Sequence, residues 1–471
     1  KKMTADSTLS PFLSGYLKSF FTEKELTFFI DHSFQKRPIT IITNNLKIND
    51  NQLIGMLKRK GIIIEKIINN LYIVKEENNL PIGATTEYLN GFYYKMGVSS
   101  AYAIFSLKNH ILSLFSQNEK HGEAKVTESD VTTHSVNNDD IEAKDTAVKK
   151  DSVNNDDIEA KDTVKKNTVV KHDEIKNTAV KHDEGKDTLK KNTAVKHDEA
   201  NHSSKRQKKA IRKPLNILDM CAAPGGKAIL LYQLLNTVNS DCNVSFYCLD
   251  NNEKRCRSMA ANFIRMDVPA TVICDDALVA CGQTHLVKNE GSKTVSQNKN
   301  TSKDKKSSQN KKSSQDKTTS KDKTTSQDKN SSENRRAYLP KMDIVLLDAP
   351  CSGTGTLSKD PQAALLDNPK LHQLIDLQRK LIINGFDNLK SNGLLFYSTC
   401  SILMEENEEI VDYLLKQRKS AKLEVIDGIG QIGKKAYRGK QFSNDMIKAR
   451  RIYPHTHNGD GFFYCLIRKC N

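Results

Sequence analysis

Apolar residues along this chain recur at two spacings, one helical and one strand-like. Between residues 9 and 35, Phe20, Phe21, Leu26, Phe29, Ile30 and Phe34 recur at helical intervals. The β-branched run Pro38-Ile39-Thr40-Ile41-Ile42-Thr43 then predicts a strand. Leu53, Met56 and Leu57 predict a helix ending at Gly61, with a strand at Ile62 to Ile64 or Leu71 to Val74. Helical stretches are expected around Tyr88 to Met96 and Ala101 to Leu107. Further on, short apolar runs predict strands at Asn216 to Met220, Val244 to Leu249, Ala270 to Cys274, Asp343 to Leu347, Gly393 to Tyr397 and Phe462 to Ile467. Leu371, Leu374, Ile375, Ile382, Phe386 and Leu389 fit the face of a long helix between them. Strands alternating with helices imply an α/β fold with a mostly parallel, doubly wound sheet and right-handed crossovers.

The pattern vanishes in two places, Lys120 to Lys213 and Lys288 to Arg336, which contain almost no apolar clusters. Their Lys, Asp, Ser, Thr, Asn and Gln cannot offset the entropy of ordering, so both read as disordered inserts. The first contains internal repeats: Ser135 to Thr146 recurs at Ser152 to Thr163, and Ala-Val-Lys-His-Asp-Glu begins at Ala179 and Ala194. These repeats lack the apolar positions that stacking requires. The expected organisation is a small N-terminal α/β region over 1–118, an insert over 119–213, and a catalytic domain over 214–471 interrupted by an insert at 282–337. The net charge of +16 is uneven: the second insert carries 14 Lys/Arg against 6 Asp/Glu, the first 21 against 19. That leaves +6 for the folded parts and favours a polyanionic partner, met through the inserts as well as a surface.

Ten cysteines show neither even spacing nor a CxxC pair, and the start, Lys1-Lys2-Met3-Thr4, has no apolar signal region. No apolar run reaches the ~18 residues that span a bilayer. A reduced, intracellular chain is expected, with cysteines as core fillers or reactive thiols and no membrane partner. The basic cluster Lys205 to Lys213 has the composition of a nuclear localisation signal. His455, His457 and Asp460 have two ligand types but no fourth ligand in view, so they read as a turn before the last strand and no metal is expected.

Three motifs sit at predicted strand ends, where an α/β sheet lines its ligand crevice. Asp219-Met220-Cys221-Ala222-Ala223-Pro224-Gly225-Gly226-Lys227 is a small, glycine-containing turn that lets a ligand approach the backbone. It lacks the GxGxxG spacing of dinucleotide sites. The next strand ends at Asp250, suited to ribose hydroxyls, and the third at Asp275-Asp276, beside the expected adenine. This order suits S-adenosylmethionine, with a generic nucleotide site as the alternative. The second and third motifs, Asp348-Ala349-Pro350-Cys351-Ser352-Gly353-Thr354-Gly355 and Ser398-Thr399-Cys400-Ser401, bring two thiols and a carboxylate to one edge. A thiolate adding to carbon 6 of cytosine makes carbon 5 nucleophilic toward a sulfonium methyl group, which is covalent catalysis. Asp348 beside Cys351 would contact the ring N3. The residues alone do not order the two thiols.

These segments, ILDMCAAPGGK, LLDAPCSGTG and YSTCSILMEEN, resemble the Nop/Sun (RsmB/NOP-type) RNA cytosine-5 methyltransferases. PIGATTEYLNGFYYKMGVSSA and RRIYPHTHNGDGFFYCLIRK are most similar to the nucleolar Nop branch, which methylates large-subunit ribosomal RNA and serves ribosome assembly. The resemblance implies a Rossmann-like S-adenosylmethionine-dependent methyltransferase sheet, and an N-terminal region that contacts RNA. It implies Cys400 as nucleophile and Cys351 as the thiol that assists release. It implies cofactor contacts from Cys221, Ala222, Ala223, Pro224, Gly225, Gly226, Lys227, Asp250, Asp276 and Asp348. Ribosomal RNA or a pre-ribosomal particle is the implied partner, DNA is not expected, and nucleus and nucleolus are the implied location. Ile42 stands before Thr43-Asn44 where family members usually carry Arg, and Ala228 follows Lys227 where Thr is common. The alternatives are an rRNA-binding assembly factor with methylation secondary, and a tRNA cytosine-5 methyltransferase.

Overall fold

The computed structural model describes residues 8–77, 80–123, 168–169, 214–240, 242–282 and 339–471. The helical pattern of residues 9–35 resolves into two helices, α1 (Pro11–Lys18) and α2 (Glu23–Ser33). Thr22 makes the break: its hydroxyl accepts from the Glu25 amide while the Glu25 carboxylate accepts from the Thr22 amide, a capping box. Leu13, Tyr16, Leu17, Leu26, Phe29 and Ile30 bury their side chains in the core of the large sheet, beside Leu347, Ile402 and Tyr453.

A small antiparallel sheet follows, from β1 (Thr40–Thr43), α3 (Asp50–Arg59), β2 (Ile63–Ile68), β3 (Leu71–Glu76), α4 (Thr86–Leu89) and β4 (Tyr93–Lys95), in the order β2-β3-β1-β4. Both alternative strands after Gly61 form, as the paired β2 and β3. The helix expected over Tyr88 to Met96 is instead a single turn followed by a strand. Gly91 stops the helix with φ 71°, and a Cβ there would lie 1.8 Å from the Arg265 carbonyl oxygen. After it, Tyr93 and Tyr94 alternate faces, Tyr93 into the sheet's own core and Tyr94 into the larger one. β1 alternates likewise: Ile41 packs with Leu53, Leu57 and Tyr72, while Ile42 packs into the core of the large sheet. Ile42 is therefore a packing residue where an Arg was noted as usual.

Helices α5 (Val98–Phe105) and α6 (Lys108–Glu123) carry the chain across the second face of the large sheet, and α6 runs past the expected boundary at 118. The large sheet comprises β5 (Thr168–Val169), β6 (Leu215–Asp219), β7 (Val244–Asp250), β8 (Ala270–Cys274), β9 (Met342–Asp348), β10 (Leu389–Thr399), β11 (Ala421–Glu424), β12 (Gln431–Ile432), β15 (Arg450–Ile452) and β16 (Phe462–Lys469); β13 (Ala436–Tyr437) and β14 (Lys440–Gln441) form a separate hairpin. Its order is β12-β15-β16-β10-β9-β6-β7-β8-β5, with β11 also on β16. β6 to β10 run parallel and β16 is antiparallel to β10. The helices between them are α7 (Gly226–Val238), α8 (Glu253–Met266), α9 (Ala277–Ala280), α10 (Asn368–Asp387), α11 (Glu408–Gln417) and α12 (Pro454–His457). Winding reverses between β6 and β9, so the carboxyl ends of these neighbours, at Asp219 and Asp348, open the crevice where such sheets bind ligands.

Within the first expected insert, 119–123 complete α6 and 168–169 pair with β8. The rest of the first insert, with the repeats and the 205–213 basic cluster, and residues 283–337 of the second lie outside the described residues. Among the described residues no helix is long and apolar enough to cross a membrane.

Candidate active site

β9 and β10 are adjacent and parallel with Ser398 opposite Asp348, so their loops leave the same edge side by side. This brings the Sγ atoms of Cys351 and Cys400 to 3.1 Å. A backbone clamp fixes the approach: the Gly355 amide donates to the Cys400 carbonyl (2.9 Å), and the Gly461 amide to the Gly355 carbonyl (2.7 Å). Only glycine fits at 355, where a Cβ would stand 2.2 Å from the Gly461 oxygen. The Cys400 sulfur beside it, together with burial, pushes the Cys351 thiol well above its ordinary pKa. Cys351 therefore holds its proton more tightly than a free thiol, and either sulfur can donate across the pair.

Beneath the thiols lies a buried polar network in which Gln378 Oε1 is left without a partner. Fully buried Glu406 accepts from the Ser352 amide (2.8 Å), the Ser352 hydroxyl (2.5 Å) and Gln378 Nε2 (3.0 Å). Gln378 also donates to the Pro350 carbonyl (2.8 Å) and the Tyr397 hydroxyl to the Glu406 carbonyl (2.6 Å). Thr399 Oγ1 donates to Asn407 Oδ1 (2.6 Å), whose Nδ2 donates to the Ser401 carbonyl (2.9 Å). Arg451 braces the same loop from β15: Nη1 donates to the Ile402 carbonyl (2.9 Å) while Nε and Nη2 fork onto Glu408, both side chains fully buried.

The turn after β6 forms the other wall. Gly225 has φ 97°, and a Cβ there would lie 2.8 Å from the Phe263 ring. The Lys227 ammonium sits 2.5 Å from Asp348 Oδ2, and Ser398 Oγ donates to Asp348 Oδ1 (2.7 Å). Burial works against the Lys227 charge, and the Asp348 and Asp219 carboxylates outweigh it, so its pKa lies above the ordinary lysine value. Asp219 is 1% exposed with Oδ1 unpartnered; burial pushes its carboxyl up to about 7. Asp250 accepts from the Asn252 amide (3.1 Å) and pairs with Arg255 (3.1 Å), which also holds the Ala223 carbonyl (2.7 Å).

A family model described as 16S rRNA methyltransferase RsmB/F matches residues 210–285 and 280–468. The chain belongs to this RsmB/F family. It is 25% identical over 465 residues to the human 28S rRNA (cytosine(4447)-C(5))-methyltransferase, covering 97% of this chain and 37% of that relative. It is 31% identical over 258 residues to the Caenorhabditis elegans 26S rRNA (cytosine-C(5))-methyltransferase nsun-1, covering 54% of this chain and 30% of the relative. The chain thus spans well under half the length of these curated relatives. A methyltransferase homolog protein from Pyrococcus horikoshii shares the fold at 19% identity and TM-score 0.56, covering 98% of this chain and 95% of that one. NSun6 from the same organism, solved with SFG, does so at 16% and 0.53, covering 97% of each chain.

In this RsmB/F-family chain, Cys351, Cys400 and Asp348 lie on one side of the crevice and Cys221 to Lys227 and Asp250 on the other, with Lys227 reaching across to Asp348. The Cys221 thiol is pushed up by burial and is a poor nucleophile. Asp276 caps α9, accepting from the Leu278 amide (2.7 Å), and stays exposed at the end of β8. The histidines of the tail do not converge on a metal: His455 packs edge-on against Phe21 and Phe29, His457 Nδ1 accepts from the Tyr453 amide (3.0 Å), and Asp460 pairs with Lys359. Sequence reasoning assigned no role to Asp219, Glu406, Gln378 or Arg451. Glu406 and Arg451 lie inside the motifs that carried the family resemblance, and Asp219 is the first residue of the glycine turn.

Proposed function

We propose that this chain methylates carbon 5 of a cytosine in large-subunit ribosomal RNA, with S-adenosylmethionine as donor, as part of ribosome production in the nucleolus. The observation that carries the chemistry is the pair of thiols 3.1 Å apart on adjacent loops, with Asp348 at the foot of one. The rRNA assignment is supported by relatives so named that align with 97% of the chain.

The residues present fit the donor. The left-handed turn at Gly225 packs under the Phe263 ring and makes the tight bend after β6, Asp219 keeps an unpartnered buried oxygen, and Asp250 and Asp276 lie at the ends of the next two strands. Asp250 and Asp348 balance Arg255 and Lys227, and the Asp219 carboxyl, pushed up to about 7, adds negative charge as it ionises, which favours a sulfonium cation. Bound there, S-adenosylmethionine supplies an electrophilic methyl group. Cys400, its thiol proton released to solvent, adds as the thiolate to carbon 6 of an unpaired or flipped cytosine, and the ring electrons shift toward N3. The Lys227–Asp348 pair presents a donor and an acceptor to the cytosine edge, whose N3 accepts and whose N4 donates. After methylation the carbon 5 proton leaves to a base, the C6–S bond breaks, and the electrons return to Cys400. The Cys351 thiol donates to that sulfur as it departs, which is its part in release.

The test is covalent trapping. The full chain is incubated with S-adenosylmethionine and pre-rRNA carrying 5-fluorocytosine, and denaturation-resistant adducts are resolved. Wild type forms an adduct, Cys400→Ala forms none, and Cys351→Ala accumulates one on unmodified RNA. An absent adduct with folded, cofactor-binding protein on native pre-ribosomes would favour a structural assembly role. Loss of 5-methylcytosine from tRNA alone after depletion would overturn the rRNA assignment. A tagged full chain outside the nucleolus would overturn the location.

A further inference from the structure

A cavity of about 280 Å³ lies between the small sheet and the catalytic domain. Arg37, Lys95 and Lys359 line it against a single carboxylate, Asp460. Lys359 pairs with Asp460, whereas Lys95 has no ion-pair partner among the described residues. Arg37 is oriented from behind, its Nη2 donating to the His32 carbonyl (2.9 Å) and Nη1 to Asn458 (3.2 Å). Two polar atoms of lining residues are buried without a partner: Arg37 Nε, a donor, and Asp460 Oδ1, an acceptor. Buried polar atoms are rarely left so unless something else meets them.

The cavity adjoins the thiol site through the backbone. Asp460 precedes Gly461, whose amide holds the Gly355 carbonyl, and the Gly355 amide holds the Cys400 carbonyl. Lys359 lies in the turn that follows Gly355, its amide on the Thr356 carbonyl. A nucleotide with its base at Cys400 would therefore carry its flanking backbone toward this cavity.

We propose that the cavity binds one phosphate–ribose unit of the RNA strand beside the target cytidine. Arg37, Lys95 and Lys359 take the phosphate, and Asp460 Oδ1 accepts from the ribose 2′-hydroxyl. This rests on the RNA methyltransferase reading above. The excess of cations supplies attraction without sequence information, and the 2′-hydroxyl contact separates RNA from DNA.

The test measures binding of fluorescein-labelled oligocytidylate and its deoxy counterpart across a salt series. Methyl transfer from labelled S-adenosylmethionine to total RNA and cofactor affinity are followed in parallel. Arg37→Ala/Lys95→Ala weakens RNA binding by about ten-fold or more and flattens the log–log salt slope by roughly 0.7, the value for one single-strand phosphate, with cofactor affinity unchanged. The exposed Lys95→Glu does the same in part, as a control for folding. Asp460→Ala lowers the preference of RNA over DNA. An unchanged slope and affinity in variants that bind cofactor would overturn the phosphate assignment, and an unchanged RNA preference in Asp460→Ala the ribose contact. Wild type that binds cofactor but neither binds nor methylates RNA would overturn the functional reading itself, a distinct result.

Discussion

Replacing Asp219 with Asn isolates the cost of the buried acid under the cofactor turn. The side chain is 1% exposed, its Oδ1 has no partner, and burial raises its pKa from 3.8 to about 7; Lys227 opposes the rise and Asp348 adds to it. A folded pKa above the unfolded one means that the native state holds the proton more tightly. Stability from this group is therefore full below pH ~4, falls as pH rises, and is gone above pH ~7. At about 1.4 kcal/mol per unit, the three-unit shift amounts to about 4 kcal/mol, of which roughly 2.5 kcal/mol is lost between pH 5 and pH 8. Asn is close in shape and does not titrate. Urea unfolding of cofactor-free wild type and Asp219→Asn at pH 5, 6, 7 and 8 should show the difference moving in favour of Asn by about 2.5 kcal/mol across that range. Parallel stability profiles would refute the reasoning, because they would mean that Asp219 ionises in the native state as easily as in the unfolded chain.

Glu406→Gln replaces one acceptor oxygen by a donor facing the Ser352 and Gln378 donors; a misplaced Cys351 loop should cost roughly 10²-fold in methyl transfer with cofactor affinity unchanged, read by single-turnover kinetics. Arg451→Met strands the buried Glu408 carboxylate and should destabilise by roughly 3–5 kcal/mol in urea titrations, with Arg451→Met/Glu408→Leu recovering much of the loss. Gly355→Ala puts a Cβ 2.2 Å from the Gly461 oxygen and 2.7 Å from that of Cys400, so adduct formation with 5-fluorocytosine RNA should fall by at least about ten-fold.

Much of the catalytic sheet was legible because its strands are short apolar runs bounded by polar turns, and each motif follows such a run directly. All six strands expected from residue 216 onward form at the expected places. Local pattern failed where tertiary contact decides. Residues 88–96 carry apolar positions compatible with a helix, yet Gly91 must turn against the Arg265 carbonyl, and Tyr93 and Tyr94 then serve two different cores. Residues 9–30 read as the start of the small region, but their apolar face is completed by Leu347, Ile402 and Tyr453, more than 300 positions away in the chain. The two thiols were legible as strand-end residues. Their 3.1 Å approach was not, because it depends on Glu406, Gln378 and Arg451, whose partners are set by the fold.

The two halves of the crevice are built on different physics, and Asp348 joins them. The thiol half is braced from beneath by a buried hydrogen-bond network that leaves Gln378 Oε1 without a partner, and it fixes sulfur positions at the scale that bond formation needs. The half built on the glycine turn, proposed above to take the cofactor, keeps the buried Asp219 Oδ1 without a partner, which favours arrival of a cationic ligand. Asp348 holds Lys227 with one oxygen and Ser398 with the other, so it is tied to the glycine turn and to the strand that ends at Cys400. A ligand that draws Lys227 away would change the hydrogen bonding available to a base over Cys400. Under the proposed function, occupation of the cofactor half would be coupled to the chemistry of the thiol half through this ion pair.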